Sequence, residues 1–492
     1  MSTSNRLTRR QVTKLLGLAP FAAHAAFRSF ELPATVNSEI DLVSSDEQLV
    51  RAFRWAKKQA LAYVFDGDPV GPWYEAALPG RQAFCMRDTA HQADGAQALG
   101  LTRWNHNMLR RFAENISKSR DWCSYWEIDR ENRPAPVDYE SDKHFWYNLP
   151  ANYDVLDACY RMFLWTGDKT YIDDPVFLNF YDRTIVDYTN RWSLAPDRIM
   201  ERTSDIEEPP FFRGDPTYEE SSRDNLVGID LLATQYAAFR AYAAIQAIRG
   251  NSNAAKDALR TAGEIKTLIN TKWWNSSRGY FYAFFNKRHQ FTGRAGADLL
   301  YRDAADAGQK TASALETLLT TMRSEPTDAV EAKSHYAEIL FRYGKTEAAY
   351  EQITDLSREG RIRREYPEVS YSVVGAIVTG LMGILIEPSA AIANLSPALF
   401  KTVVVTRPSL NSANDWVELR NMPLLGAYVS VRHQGNGRTY FTNHGNASLR
   451  WKPEFSGSFS SLRIDGKATR ATNGSSLSGP ILAGAMVTVA PG

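Results

Sequence analysis

Residues 226–250, LVGIDLLATQYAAFRAYAAIQAIRG, are apolar on almost every face of a helix, while the next segment, 253–274, NAAKDALRTAGEIKTLINTKWW, keeps a wide polar face. A helix without a polar side must be enclosed by other helices, and its amphipathic partner covers it and meets water. The contrast recurs at 145–167, FWYNLPANYDVLDACYRMFLWTG, which is apolar on most faces. Gly167-Asp168 and Gly250-Asn251 break these pairs, giving left-handed caps that turn the chain back. Periodicity predicts helices at about 45–64, 88–100, 102–118, 146–166, 170–192, 224–249, 252–274, 311–323, 327–343, 345–358 and 369–386. Buried helices alternating with half-exposed ones imply two concentric layers, a mainly α (α/α)6 toroid over residues 40–388. A solenoid would repeat its sequence at a fixed period, and none is found.

Past about residue 388 the pattern changes to period two in GAYVSVRH, GRTYFTNH, ASLRWKP and SLRIDGK, with Gly and Asn turns between. This predicts a small C-terminal antiparallel β-sandwich over 396–492, read first as a buttress for the helices and second as a carbohydrate-binding module. The amino terminus, LTRRQVTKLLGLAPFAAHAAFRS, sets paired arginines before a short apolar run and a small-residue site. It reads as a twin-arginine-type signal peptide over residues 1–27, although Val12 and Thr13 stand where that motif has Phe and Leu. The expectation is export by the twin-arginine machinery to the periplasm or the medium, with no membrane insertion of the mature chain. An amphipathic N-terminal helix is the alternative.

The 492 residues carry 57 basic and 56 acidic side chains, interspersed, so nothing suggests a nucleic-acid partner held by bulk charge. Cys85, Cys123 and Cys159 are too few for a disulfide framework and are expected as buried thiols, with at most one bridge formed after export. Neither Cys-x-x-Cys nor His-x-x-x-His pairs occur, so no metal site and no cofactor are predicted.

The loops ahead of the buried helices are long and chemically rich, which marks one functional face. WCSYWEIDRENRPAPVDYESDKHFWYN supplies Trp122, Trp126 and Trp146 as candidate stacking platforms, and Trp73, Tyr74 and Glu75 precede the first buried helix. In FFRGDPTYEESSRDN, Glu219 and Glu220 are adjacent carboxylates that raise each other's pKa, with Ser221 and Asp224 read as helix caps. Glu207-Glu208 competes with that pair, and Glu127 is a further candidate acid. Pro367 leaves Glu365 and Glu368 in the loop before the last buried helix. Acids far apart in sequence would meet at one mouth of a toroid. That suits cleavage of an acetal, which needs one protonated carboxyl and one carboxylate across a cleft.

FCMRDTAHQADGAQALGL resembles the first inner helix of the six-hairpin glycosidases, and REYPEVSYSVVGAIVTGLMGIL is similar to their last one. The glucoamylase and rhamnosidase branches are the nearest. The resemblance implies that Arg87 and Asp88 hold sugar hydroxyls, that Glu219 or Glu220 stands in the place of the general acid, and that Glu368 or Glu365 stands in that of the base. It further implies an exported glycoside hydrolase acting on an oligo- or polysaccharide with inversion. Two alternatives are a polysaccharide lyase using a Tyr or His base, with His91 and His144 as candidates, and a sugar-binding protein without activity.

Overall fold

The computed structural model describes residues 38–203, 212–219, 224–324, 330–457, 459–471 and 479–492. The signal segment 1–27 and residues Glu207, Glu208, Glu220 and Ser221 lie outside the described residues.

The helices alternate in burial along the chain. Helices α1 (Glu47–Leu61), α3 (Thr102–Glu114), α5 (Pro175–Asp182), α7 (Ser252–Thr271), α9 (Gln309–Ser324) and α11 (Thr346–Ser357) each bury one stripe. Helices α2 (Met86–Ala98), α4 (Ala151–Thr166), α6 (Ile229–Ile248), α8 (Ala297–Tyr301), α10 (Tyr336–Arg342) and α12 (Pro367–Gly375) are enclosed, most completely in α4 and α6. The enclosed helices touch in order, α2 on α4, α4 on α6, α6 on α8, α8 on α10 and α10 on α12, and α12 returns to α2. The contacts therefore close on themselves. Outside this cycle α3 covers α2, α7 covers α6, α9 covers α8, α11 covers α10 and α1 covers α12.

The cycle closes where α2 and α12 meet backbone to backbone. A Cβ built on Gly95 would lie 2.1 Å from the carbonyl oxygen of Tyr371, and Gly375 faces Gly95 from the other helix. The Tyr371 hydroxyl donates to the Ala60 carbonyl at 3.0 Å, tying α12 to α1 as well.

Several elements differ from the periodicity reading. Helix α8 has five residues, too short for a period to show, yet it fills the fourth enclosed position. Asp224 begins no helix, because the strand Asn225–Gly228 intervenes and α6 starts at Ile229. The segment read as one helix over 327–343 is interrupted at Ser334 and His335. Helix α12 continues into π geometry over Ala376–Leu381. All three cysteines are buried, as expected. Among the described residues no helix is long and apolar enough to cross a membrane.

The C-terminal part forms two sheets from β2 (Leu385–Pro388), β3 (Thr402–Thr406), β4 (Trp416–Leu424), β5 (Ala427–Gln434), β6 (Arg438–Asn443), β7 (Leu449–Pro453), β8 (Ser461–Ile464), β9 (Lys467–Arg470), β10 (Gly479–Ile481) and β11 (Met486–Pro491). The four-stranded sheet runs β2-β3-β7-β10 and the seven-stranded one β1-β4-β5-β6-β11-β8-β9, where β1 (Asp41–Ser44) precedes α1. The expectation of an antiparallel sandwich confined to the C-terminus needs two corrections. The β3–β7 pair is parallel, and one edge strand comes from before the helices. Phe441 and Trp451 stack between the sheets, with ring centroids 5.1 Å apart. His433 of β5 reaches the Met382 carbonyl beyond α12 at 3.0 Å, and burial pushes its pKa down to about 4.

Gly95→Ala drives a methyl into the Tyr371 carbonyl, and overpacking of this kind costs about 3 kcal/mol. Urea unfolding of the full chain should show that loss, and an unchanged midpoint would remove the tight closure of the cycle.

Candidate active site

All six enclosed helices carry an acid in their first turn: Asp88 on α2, Asp154 on α4, Asp230 on α6, Asp298 on α8, Glu338 on α10 and Glu368 on α12. Helix α10 is also preceded by His335 at its N-cap position. The positive end of a helix suits a carboxylate there. These groups converge, since Glu368 feels the charge of Asp88, Asp230 that of Asp298, and Asp298 that of His335.

His91, one turn along α2 from Asp88, sits at the centre. Its Nδ1 is 3.9 Å from Oε1 of Glu368 and its Nε2 is 3.8 Å from Oδ2 of Asp154. His335 Nε2 and Glu368 Oε1 share a hydrogen bond of 2.9 Å. The two imidazoles meet edge to face at 4.4 Å, and the Tyr301 ring packs against both. Burial, and next the charge of Asp88, raises the Glu368 pKa, while His335 opposes the shift. Burial, followed by the charges of His335 and Arg302, lowers that of His91.

Beneath these groups the interior is filled by ion pairs. Arg302 contacts Asp154 and reaches Asp157 at 2.7 Å, and Arg161 joins Asp157 at 3.1 Å to Asp94. A cavity of about 250 Å3, lined by Asp94, Asp157, Arg161, Glu338 and Arg342, lies on this side.

The loop that carries Glu219 is tied to the same acids. The Tyr218 hydroxyl donates to Asp154, while the Tyr218 amide and the Thr217 hydroxyl donate to Asp230 Oδ2 at 2.6 and 2.9 Å. Gly228 permits this approach, because a Cβ there would lie 2.1 Å from Asp230 Oδ1. Glu219 itself is exposed at the rim. Arg87 lies 5.3 Å over the Tyr218 ring and its Nε donates to Asp88 Oδ1 at 3.0 Å, while Asp88 Oδ2 has no partner. Burial, and then the Asp298 charge, pushes the pKa of Asp230 up to about 7.

Of the residues singled out from the sequence, Arg87, Asp88 and Glu368 are brought together, and Glu219 stands above them. Glu365 is exposed, three residues before Glu368. The tryptophans are a correction. Trp73 is 1% exposed, stacked on Phe65 at 4.5 Å, with its indole N–H on Asp68. Trp146 is 3% exposed, bonded to Asn148 and edge-on to Phe212. Arg183 covers Trp122 at 5.0 Å. Only Trp126, beside Tyr218 at 6.3 Å, belongs to the mouth, and it too is buried. Glu127 is held by Arg81 at 2.5 Å. Sequence reasoning missed His335, Asp154, Asp230, Asp298 and Arg302, and had His91 only as a candidate base for the lyase alternative. The available signal was the recurrence of one acid just inside each enclosed helix.

No protein-family model and no curated protein matches the sequence. Solved structures do match. An α-L-rhamnosidase from Dictyoglumus thermophilum superposes with a TM-score of 0.57 at 13% identity, over 92% of this chain and 50% of that one. A GH78-family rhamnosidase from Bacillus sp. GL1 gives 0.53 at 12% identity, over 82% and 40%, and an α-L-rhamnosidase from Aspergillus terreus gives 0.52 at 11%, over 89% and 50%. The chain thus spans about half the length of the first of these. At 11–13% identity the likeness is one of fold, and it agrees with the rhamnosidase branch of the resemblance drawn from the sequence.

Asp230 holds its proton in the folded chain up to about pH 7, whereas the unfolded chain releases it near 3.8. Its contribution to stability is therefore full below the lower value and is lost as pH rises through the higher one. Unfolding midpoints from pH 4 to 7 should fall with rising pH more steeply in the wild type than in Asp230→Asn. Equal slopes would show that Asp230 is not the buried acid described.

Proposed function

We propose that this chain is a glycoside hydrolase. Its enclosed helices would form the inner layer of an (α/α)6 toroid over 40–388, buttressed by the sandwich over 396–492. The observation that carries this reading is the Glu368 carboxylate, 1% exposed at the start of the last enclosed helix, bonded to His335 and set beside Asp88. A carboxylate with a raised pKa is a better general base toward water than an ordinary one. The rhamnosidase structures that share the fold support a carbohydrate as the substrate class.

In this reading a sugar enters the mouth above His91. Asp88 Oδ2, buried and without a partner, accepts a hydroxyl, and Arg87 holds Asp88 in place. Glu368 takes a proton from the attacking water. Glu219 or Glu220, on the loop anchored by Tyr218, protonates the leaving oxygen. Inversion follows if the two carboxyl groups stand about 6.5–9.5 Å apart with the water between them. A uronate-cleaving lyase fits less well, because Arg302, Arg87 and Arg161, the arginines whose charges reach His91, are already paired with Asp154, Asp88 and Asp94. The reading includes export of the mature chain by the twin-arginine route to the periplasm or medium, on the RR motif at Arg9-Arg10.

The test is hydrolysis of aryl glycosides, rhamnosides first, and of polysaccharides. Glu368→Gln should lower kcat by about 1,000-fold or more with the unfolding midpoint retained. Reducing ends should appear without the absorbance of an unsaturated uronate, and gain of that absorbance would replace the hydrolase by a lyase. Glu219→Gln should lose about 100-fold on sugars with poor leaving groups and much less on nitrophenyl glycosides, which need no acid. Equal losses on both would move the acid to Glu220.

A further inference from the structure

His91, His335 and Glu368 come from three different parts of the helical cycle, yet one donor atom from each falls within 4.8 Å of the others. The oxygen of Glu368 stands 2.9 Å from His335 Nε2 and 3.9 Å from His91 Nδ1. These separations bracket the about 3.4 Å expected between donors on a tetrahedral ion with bonds of about 2.1 Å. Nδ1 of His91 is buried without a hydrogen-bond partner, and so is Oε2 of Glu368. On the other edge of the ring, His91 Nε2 faces the Asp154 carboxylate at 3.8 Å, the outer partner that orients a ligating imidazole. Asp154 is in turn held by Arg302 and the Tyr218 hydroxyl.

We propose that His91, His335 and Glu368 form a binding site for a divalent transition-metal ion of the zinc class, with Asp154 positioning His91 and the fourth position facing the mouth. Two imidazoles and one carboxylate select zinc or cobalt over calcium or magnesium, which take oxygen donors. A corollary rests on the hydrolase reading. A carboxylate that ligates the ion no longer accepts a proton from water, so the loaded protein is inhibited.

The test is titration of the full chain with Co2+ alone, without substrate, followed by visible absorption. One saturable equivalent with ligand-field bands is expected, displaced by Zn2+. His91→Gln and His335→Gln should each weaken binding by at least about 100-fold, and Asp154→Asn by about 10-fold, in variants whose circular-dichroism unfolding matches the wild type. If His91→Gln does not fold, His335→Gln and Glu368→Gln carry the comparison. Absence of a saturable signal, or binding that survives His335→Gln unchanged, overturns the site. Binding is read without turnover, so a protein that hydrolyses glycosides but takes up no Co2+ refutes the metal site alone. One that binds Co2+ but hydrolyses nothing when assayed metal-free refutes the hydrolase alone.

Discussion

A chain of ion pairs, Asp94–Arg161–Asp157–Arg302–Asp154, half-buried at its first three members and buried at its last two, joins α2 to α4 and to the residue after α8, and the mouth is built on it. Arg302 and Asp154 lose their hydration, and only mutual pairing offsets that cost, so removal of either one leaves a buried charge worth about 3–5 kcal/mol. The top member, Asp154, then does three things. It accepts the Tyr218 hydroxyl, it faces His91, and it receives Arg302. Loop, imidazole and floor are thereby set by one carboxylate.

Much of this arrangement was legible because it depends on the period of the chain. The alternation of all-apolar and half-polar helices identified the enclosed layer, and the change to period two marked the sheets. Glu368 could be named because Pro367 ends any earlier helix, although that reading left Glu368 in a loop, whereas α12 begins at Pro367 and takes Glu368 into its first turn. Helix α8 was invisible, since one turn and a half carries no period, and Asp298 and Arg302 were lost with it. The histidines were discounted for their scatter along the chain, although His91 and His335, 244 residues apart, touch in space. The tryptophans failed for the opposite reason. Their loops are rich in charge, and nothing local says that Trp73 stacks on Phe65 or that Trp146 packs against Phe212.

A first-turn acid has an ambiguous signature. Near a helix N-terminus the backbone amides favour the ionised form, which is why Asp, Ser and Thr gather there in any protein. Enclosure and a neighbouring acid favour the neutral form. In Asp230 and Glu368 burial outweighs the hydrogen bonds and raises the pKa. Sequence gives the first influence and hides the second, so a residue that looks like a cap acquires a raised pKa only when five other helices arrive.

The two halves of the mouth are held by different means. On one side, Gly95 and Tyr371 bring α2 and α12 into backbone contact, and Asp88, His91 and Glu368 stand on those same two helices. Their separation cannot change without moving the closure of the whole cycle. On the other side, Glu219 follows a turn held by the bonds of Thr217 and Tyr218 to Asp230 and Asp154, and its own side chain is exposed. One carboxylate is thus placed by rigid elements and the other by a loop pinned at its base. For the acetal hydrolysis proposed above this division is apt. The water and its base must meet the anomeric carbon in a fixed line, whereas the acid must follow leaving groups of different sizes, and a side chain on a tethered loop can do so.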